Sequence, residues 1–263
     1  GSGLVGSEMC IRDRRLTDSE GFLHYMQKVK RYMAESGIEE TYPVYVTEWN
    51  LTISDRNYIN DTCFKGAYVV KNILDCYPLC EGMALFQGSD RTSEYYDSHD
   101  MLYGGTGIIT KDGILKPAGF AFDFLNRLLP YYIGKGENCI LTTDGHGSYG
   151  ILCHNAKKLN YNYYLSAENE LDKENIWKYF EDWEAKELAI RLRDVRDGVY
   201  QMKTYSINEK NGSVLDIWAE MEYESELTRN DIKYFRRTCE PRLKIQKVEA
   251  KEQTLDLDVT LAA

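Results

Sequence analysis

No run of apolar residues in this chain approaches the about 20 that a helix needs to cross a bilayer, so nothing in the sequence reads as a membrane span. Basic clusters are also missing. Lys and Arg number 32 against 42 Asp and Glu, a net charge of −10, which speaks against nucleic acid and anionic membrane surfaces as partners. The seven cysteines are odd in number and scattered, so they do not make a disulfide framework. Cys76 and Cys80 sit four apart at a helix end with no paired histidine and read as buried thiols. The four histidines, His24, His99, His146 and His154, show no metal-ligand spacing. The segment Glu181-Asp182-Trp183-Glu184 resembles no metal loop. No metal and no organic cofactor is expected.

A secretory signal is missing too. Gly1 to Arg14 reads GSGLVGSEMCIRDR, without apolar periodicity or a hydrophobic core segment. This tail looks foreign, like translated vector or adaptor sequence. It is set aside as residues 1–14, with the expectation that the native chain was cut upstream of about residue 15. Compartment therefore stays open, with the odd cysteine count leaning towards the cytoplasm.

What the chain has in excess is aromatic surface, with 21 Tyr. Tyrosine is common both on carbohydrate-facing surfaces and in β-sandwich cores. The most informative segment is TYPVYVTEWN, residues 41–50. Val44, Tyr45 and Val46 are β-branched or aromatic after Pro43 and predict a short buried strand. The strand ends on Thr47-Glu48-Trp49-Asn50, which gathers a carboxylate, an indole and an amide. In barrels of alternating strands and helices that end carries the chemistry. A carboxylate beside an aromatic ring suits a sugar, with hydroxyls at its edge and C–H groups on its face. The same residues also fit a solvated Glu48 and a core Trp49.

Around that strand, helix and strand alternate. Thr17 or Ser19 can cap a helix whose Phe22, Tyr25, Met26, Val29, Tyr32 and Met33 recur at helical spacing, and Gly37 ends it. A helix over 58–76, a strand over Met83 to Phe86 and a helix from Pro117 to Leu129 follow. The intervening polar, Gly-rich loop at 88–107 is long enough to suggest a functional segment or a disordered one. The pattern is the closing third of an α/β unit with parallel strands. After Pro130 the texture becomes β-rich. Segments at 139–143, 149–154, 161–166, 186–194, 199–207, 242–248 and 254–261 alternate or are aromatic-rich. Turns at Asp144-Gly145, Asp197-Gly198 and Asn211-Gly212 separate them. That predicts a β-sandwich with one helix near 228–237. The boundary is expected at about residue 135, in a Gly134-Lys135-Gly136 linker, giving units 15–135 and 136–263.

Four stretches together resemble the C-terminal half of a glycoside hydrolase family 39 β-xylosidase. Thr47-Glu48-Trp49-Asn50 is similar to the T-E-[FW]-N that holds that family's nucleophile on its seventh barrel strand. Gly66-Ala67-Tyr68 resembles the A-A-Y of the next helix. FQGSD, residues 86–90, with Glu94 beyond it, resembles the end of the eighth strand and its acidic loop. LYGGTGIIT at 102–110, then KPAGFAFDFLN at 116–126, resemble two further segments of the family. Tyr179-Phe180-Glu181-Asp182 and the run Gly198 to Trp218 look like its accessory sandwich. The resemblance implies an α/β plus all-β fold: the C-terminal part of a (β/α)8 TIM barrel followed by an accessory β-sandwich.

It also implies a retaining β-glycosidase acting on xylo-oligosaccharides or related β-glycosides, with Glu48 as nucleophile, held ionised by donors such as Asn50. Trp49, Asn50, Phe86, Gln87, Asp90 and Glu94 are the implied substrate-binding set. Gln87 fits a strand-end surface residue equally well, and Asp90 and Glu94 also fit ordinary loop carboxylates. His99, between Asp97 and Asp100, reads as a solvated loop histidine. Two departures stand out. Phe86 occupies the place where the family typically carries Trp. No Asn-Glu-Pro, the family's acid/base motif, occurs, and Asn169-Glu170 and Asn208-Glu209 read as turns. Retaining hydrolysis needs two carboxyl groups about 5–5.5 Å apart. The chain is therefore expected to be an inactive fragment lacking the acid/base half. The alternative is a non-catalytic carbohydrate-binding module.

Overall fold

The computed structural model describes residues 21–39, 41–52, 54–90 and 100–263. Helix α1 (Gly21–Glu35) turns Met26 into the core, and Gly37, at φ +72°, lets the chain reverse so that the Ile38 N–H reaches the Met33 carbonyl at 2.9 Å. Strand β1 (Tyr45–Trp49) pairs in parallel with β2 (Gly82–Leu85), aligning Tyr45 with Gly82 and Trp49 with Leu85. Between them run a 3-10 turn (Tyr58–Asp61) and helix α2 (Cys63–Cys76). Helix α3 (Pro117–Asn126) opens on a proline in its first turn, where a missing N–H costs nothing.

The two helices pack tightly because of one residue. A Cβ on Gly66 would stand 2.8 Å from the Pro117 carbonyl oxygen, so the Gly66-Ala67-Tyr68 segment carries a glycine where α2 meets α3. Val69, Val70 and Leu74 of α2, Ala118 and Ala121 of α3, and Trp49 then form one core. The two parallel strands do not close into a barrel among the described residues. The expected buried strand is instead largely exposed over Tyr45, Thr47 and Glu48.

The β-rich part holds an antiparallel sheet of β3 (Tyr131–Lys135), β4 (Cys139–Thr143) and β5 (Tyr149–Cys153). Two long ribbons follow. One pairs β6 (Lys186–Arg193) with β9 (Thr254–Leu261), and the other pairs β7 (Gly198–Ser206) with β8 (Arg242–Ala250). The β4–β5 hairpin has two apolar faces. Ile140 and Leu152 join the helix core, while Leu141, Ile151 and Cys153 join the ribbon core of Ile190, Leu192, Leu255 and Leu257.

Three expectations differ from what is observed. Gly134 and Lys135 lie in β3, paired with Leu141 and Ile140, rather than in a linker. The aromatic-rich segment at 161–166 forms a short helix, α4 (Tyr161–Leu165). The Asn160 side chain accepts from the Asn162 N–H and so starts a turn where a strand would have left that group free. Helix α5 (Val214–Glu220) lies within the run expected to be sandwich. Ser213 caps it, and Val214, Leu215, Ile217 and Trp218 are buried. The anticipated helix near 228–237 is α6 (Arg229–Thr238). No described helix is long and apolar enough to cross a membrane.

Candidate active site

Glu48 and Trp49 part company because successive strand residues face opposite ways. Glu48 is exposed, next to last in β1, and makes no side-chain hydrogen bond or ion pair with a described residue. Trp49 is 5% exposed and points into the helix layer. Its ring centroid lies 5.5 Å from that of Phe22 and 6.0 Å from that of Tyr68. The substrate-binding role expected for Trp49 therefore gives way to packing.

Asn50 follows Glu48 by two residues, but its amide is fully engaged. Its Nδ2 donates to the Phe86 carbonyl and, at 3.1 Å, to the Thr106 carbonyl. Its Oδ1 accepts from the Leu51 N–H at 2.7 Å and from Lys65 Nζ. Asn50 thus clasps the ends of β1 and β2 to the Gly-rich loop, and it is not the donor to Glu48 that the sequence suggested. The Phe86 N–H closes the same junction on the Trp49 carbonyl at 2.9 Å. Phe86 and Gln87 are half-buried at this end. Gln87 Nε2 donates to Thr106 Oγ1 at 3.2 Å, and that hydroxyl donates to Asp55 Oδ1 at 2.6 Å. Thr106, itself 2% exposed, therefore links a half-buried carboxylate, a glutamine and the clasp from beneath the rim.

Asp90 lies beneath the rim rather than on it. It is 5% exposed, and its carboxylate accepts from Lys116 Nζ at 3.0 and 3.2 Å and from the Gly107 N–H at 2.9 Å. Lys116 also meets Asp61 Oδ1 at 2.6 Å and donates to the Gly105 carbonyl at 2.8 Å. The Gly104 N–H donates to Asp61 Oδ2 at 2.9 Å. A buried cation thus holds two carboxylates and a loop carbonyl, and its partners leave Asp90 no free oxygen for a sugar. Burial pushes the Asp61 carboxyl up to about 6 despite Lys116, and raises Asp90 in the same way. For Lys116 burial works in the opposite direction, but the two carboxylates overcome it and raise the ammonium.

The glycines of the 102–110 segment serve this cluster. A Cβ on Gly105 would lie 2.4 Å from Asp90 Oδ1, and one on Gly107 would lie 2.2 Å from the Asp90 nitrogen. Gly104, at φ +80°, would place a Cβ 2.3 Å from the Asn57 nitrogen, and its carbonyl accepts from that N–H at 3.0 Å.

Sequence reasoning missed Asp61, Lys65, Thr106 and Lys116. Lys65 is 1% exposed and donates to Asn60 Oδ1 at 3.2 Å as well as to Asn50. Burial, reinforced by the Lys116 charge, pushes its ammonium well below the usual lysine range. A signal existed: Lys65 stands one helical turn before Val69 on the buried side of α2. Glu94 and His99 lie outside the described residues. No group of three His, Cys, Asp or Glu suited to a metal occurs among the described residues.

The family model of "Glycosyl hydrolases family 39" matches residues 4–254. The chain belongs to glycosyl hydrolases family 39. The match includes part of the segment read above as foreign. A β-xylosidase of Caldicellulosiruptor saccharolyticus is 32% identical over 132 residues, 48% of this chain and 27% of that protein. An uncharacterized HTH-type transcriptional regulator of Staphylococcus aureus is 20% identical over 227 residues, 83% of this chain and 28% of the regulator. The crystal structure of a monomeric β-xylosidase from Caulobacter crescentus CB15 superposes with a TM-score of 0.74 at 18% identity, covering 93% of this chain and 48% of that one. Family neighbours of this kind have a TIM barrel joined to a β-sandwich, and the described residues share their mixed α/β make-up. This chain spans about half the length of that solved structure and under a third of the two curated relatives.

Proposed function

We propose that this chain carries the nucleophile half of a retaining β-glycosidase site, with Glu48 as the attacking carboxylate and a β-xyloside as substrate. The general acid would come from a longer parent. One observation carries the reading: Glu48 is exposed at the C-terminal end of a parallel strand, uncommitted to any described residue, beside the rim of Asn50, Phe86 and Gln87. Buried Asp90 and Trp49 do not compete for that role.

In this scheme Glu48 attacks the anomeric carbon while a second carboxylic acid protonates the leaving oxygen. The same group then deprotonates the water that releases the sugar. Phe86 would offer its ring to the sugar face and Gln87 its amide to a hydroxyl, with Glu94 as a further candidate. The Lys65–Asn50 clasp would fix the strand end from which Glu48 projects. Without the acid, leaving-group protonation falls to water, a deficit of about 100- to 10,000-fold. The chain alone should therefore not measurably hydrolyse xylobiose. The longer parent should, and Glu48→Ala in that parent should abolish turnover. Unchanged turnover in that variant would contradict the assignment.

A second reading is favoured by the likeness to a protein named as an HTH-type regulator over 83% of this chain. In it the same rim binds a sugar without cleaving it, as a non-catalytic carbohydrate-binding module. Titration of the parent with xylobiose separates the two, since binding without products would select this reading.

A further inference from the structure

Cys139 and Cys153 stand directly opposite each other in the antiparallel β4–β5 hairpin. One residue outward, the His154 N–H donates to the Asn138 carbonyl at 2.9 Å. That bond makes Cys139–Cys153 a non-hydrogen-bonded pair, the kind in which facing Cα atoms approach to about 4.5 Å and side chains are closest. Disulfides need Cα separations of about 4.4–6.8 Å, so this pairing brings two cysteines within bridging range without moving the strands. Both residues are free thiols and half-buried. Thiols directly opposite in a non-hydrogen-bonded pair occur nowhere else among the described strands.

We propose that Cys139 and Cys153 form a cross-strand dithiol that a low-molecular-weight disulfide oxidises to an intramolecular disulfide, locking the hairpin between the helix core and the ribbon core. One protein thiolate attacks a sulfur of the small disulfide and expels a small thiolate, leaving a mixed disulfide. The second protein thiolate then attacks the protein-bound sulfur and expels the other small thiolate. The protein loses two electrons and two protons, and the small disulfide leaves as two thiols. Burial and the neighbouring thiol push Cys153 up to about 12, so the reaction should run faster as pH rises from 7 to 9. The lock acts on a junction, because Ile140 and Leu152 face one core while Leu141, Ile151 and Cys153 face the other.

The test uses the full chain and oxidised glutathione. After exposure under native conditions, free thiols are blocked in denaturant and the protein is digested without reduction. The expected result is a peptide pair joined through Cys139 and Cys153, with an intact mass about 2 Da lower, together with a higher Tm that dithiothreitol reverses. Cys139→Ser and Cys153→Ser should each stop at a glutathione adduct on the remaining cysteine. A folded chain whose two thiols stay free, or one that instead joins Cys76 to Cys80, overturns the proposal.

Discussion

Single residues decide whether the rim holds its shape. Gly104 combines a positive φ with a Cβ position 2.3 Å from the Asn57 nitrogen. Gly104→Ala should lower stability by about 1–3 kcal/mol from backbone strain alone, with the clash adding to it. Gly134→Ala serves as the control, because no atom beyond its own chain neighbours lies within 4 Å of its Cβ position, and it should change little. Denaturant unfolding of both variants checks the pair. His154 makes a separate prediction. It is 4% exposed, and burial pushes its imidazole down to about 4 from 6.5, with Asp75 opposing and Lys71 and Lys186 reinforcing. The unfolded chain takes up a proton below pH 6.5 that the folded chain refuses until about pH 4. This contribution is therefore complete above pH 6.5 and lost as pH falls towards 4, amounting to roughly 3 kcal/mol. His154→Gln should unfold with a shallower dependence on pH in that window than the parent sequence. Identical slopes would show that His154 ionises equally in both states.

Elements were legible where apolar spacing set them. The helices at 21–35, 63–76 and 117–126 and the strands ending at Trp49 and Leu85 follow from periodicity and turn residues. Tyr161-Asn162-Tyr163-Tyr164-Leu165 misled because aromatic content favours strands, while the deciding feature was a single cap at Asn160. At the site the position of Glu48 was legible from one motif. Trp49 and Asp90 were not, because packing on Phe22 and Tyr68 and the ion cluster with Lys116 are made by residues distant in the chain. Lys116 shows what such a long-range contact does for an element. It starts α3 and ties it to Asp61, Asp90 and the Gly105 carbonyl. Lys116→Met would leave two buried carboxylates unpaired, so we expect a loss of about 3–5 kcal/mol, read from the urea midpoint. At the other end of the chain, α6 begins on a capping box in which Thr228 and Asp231 exchange hydrogen bonds. Thr228→Ala should cost only about 1 kcal/mol.

At the scale of the whole molecule, a parallel strand pair with its helices and an antiparallel β-rich region share the β4–β5 hairpin as common wall. Glu48 is exposed, next to last in β1, and the proposed function rests on it. What that carboxylate does decides between hydrolysis and binding alone. The direct measurement is azide rescue of Glu48→Ala in the longer parent, with an activated aryl β-xyloside. A small anion can enter the space the side chain leaves and attack the anomeric carbon from the same face. Turnover should return, with a glycosyl azide of inverted configuration as product. A product of retained configuration would make Glu48 the acid/base and contradict the assignment.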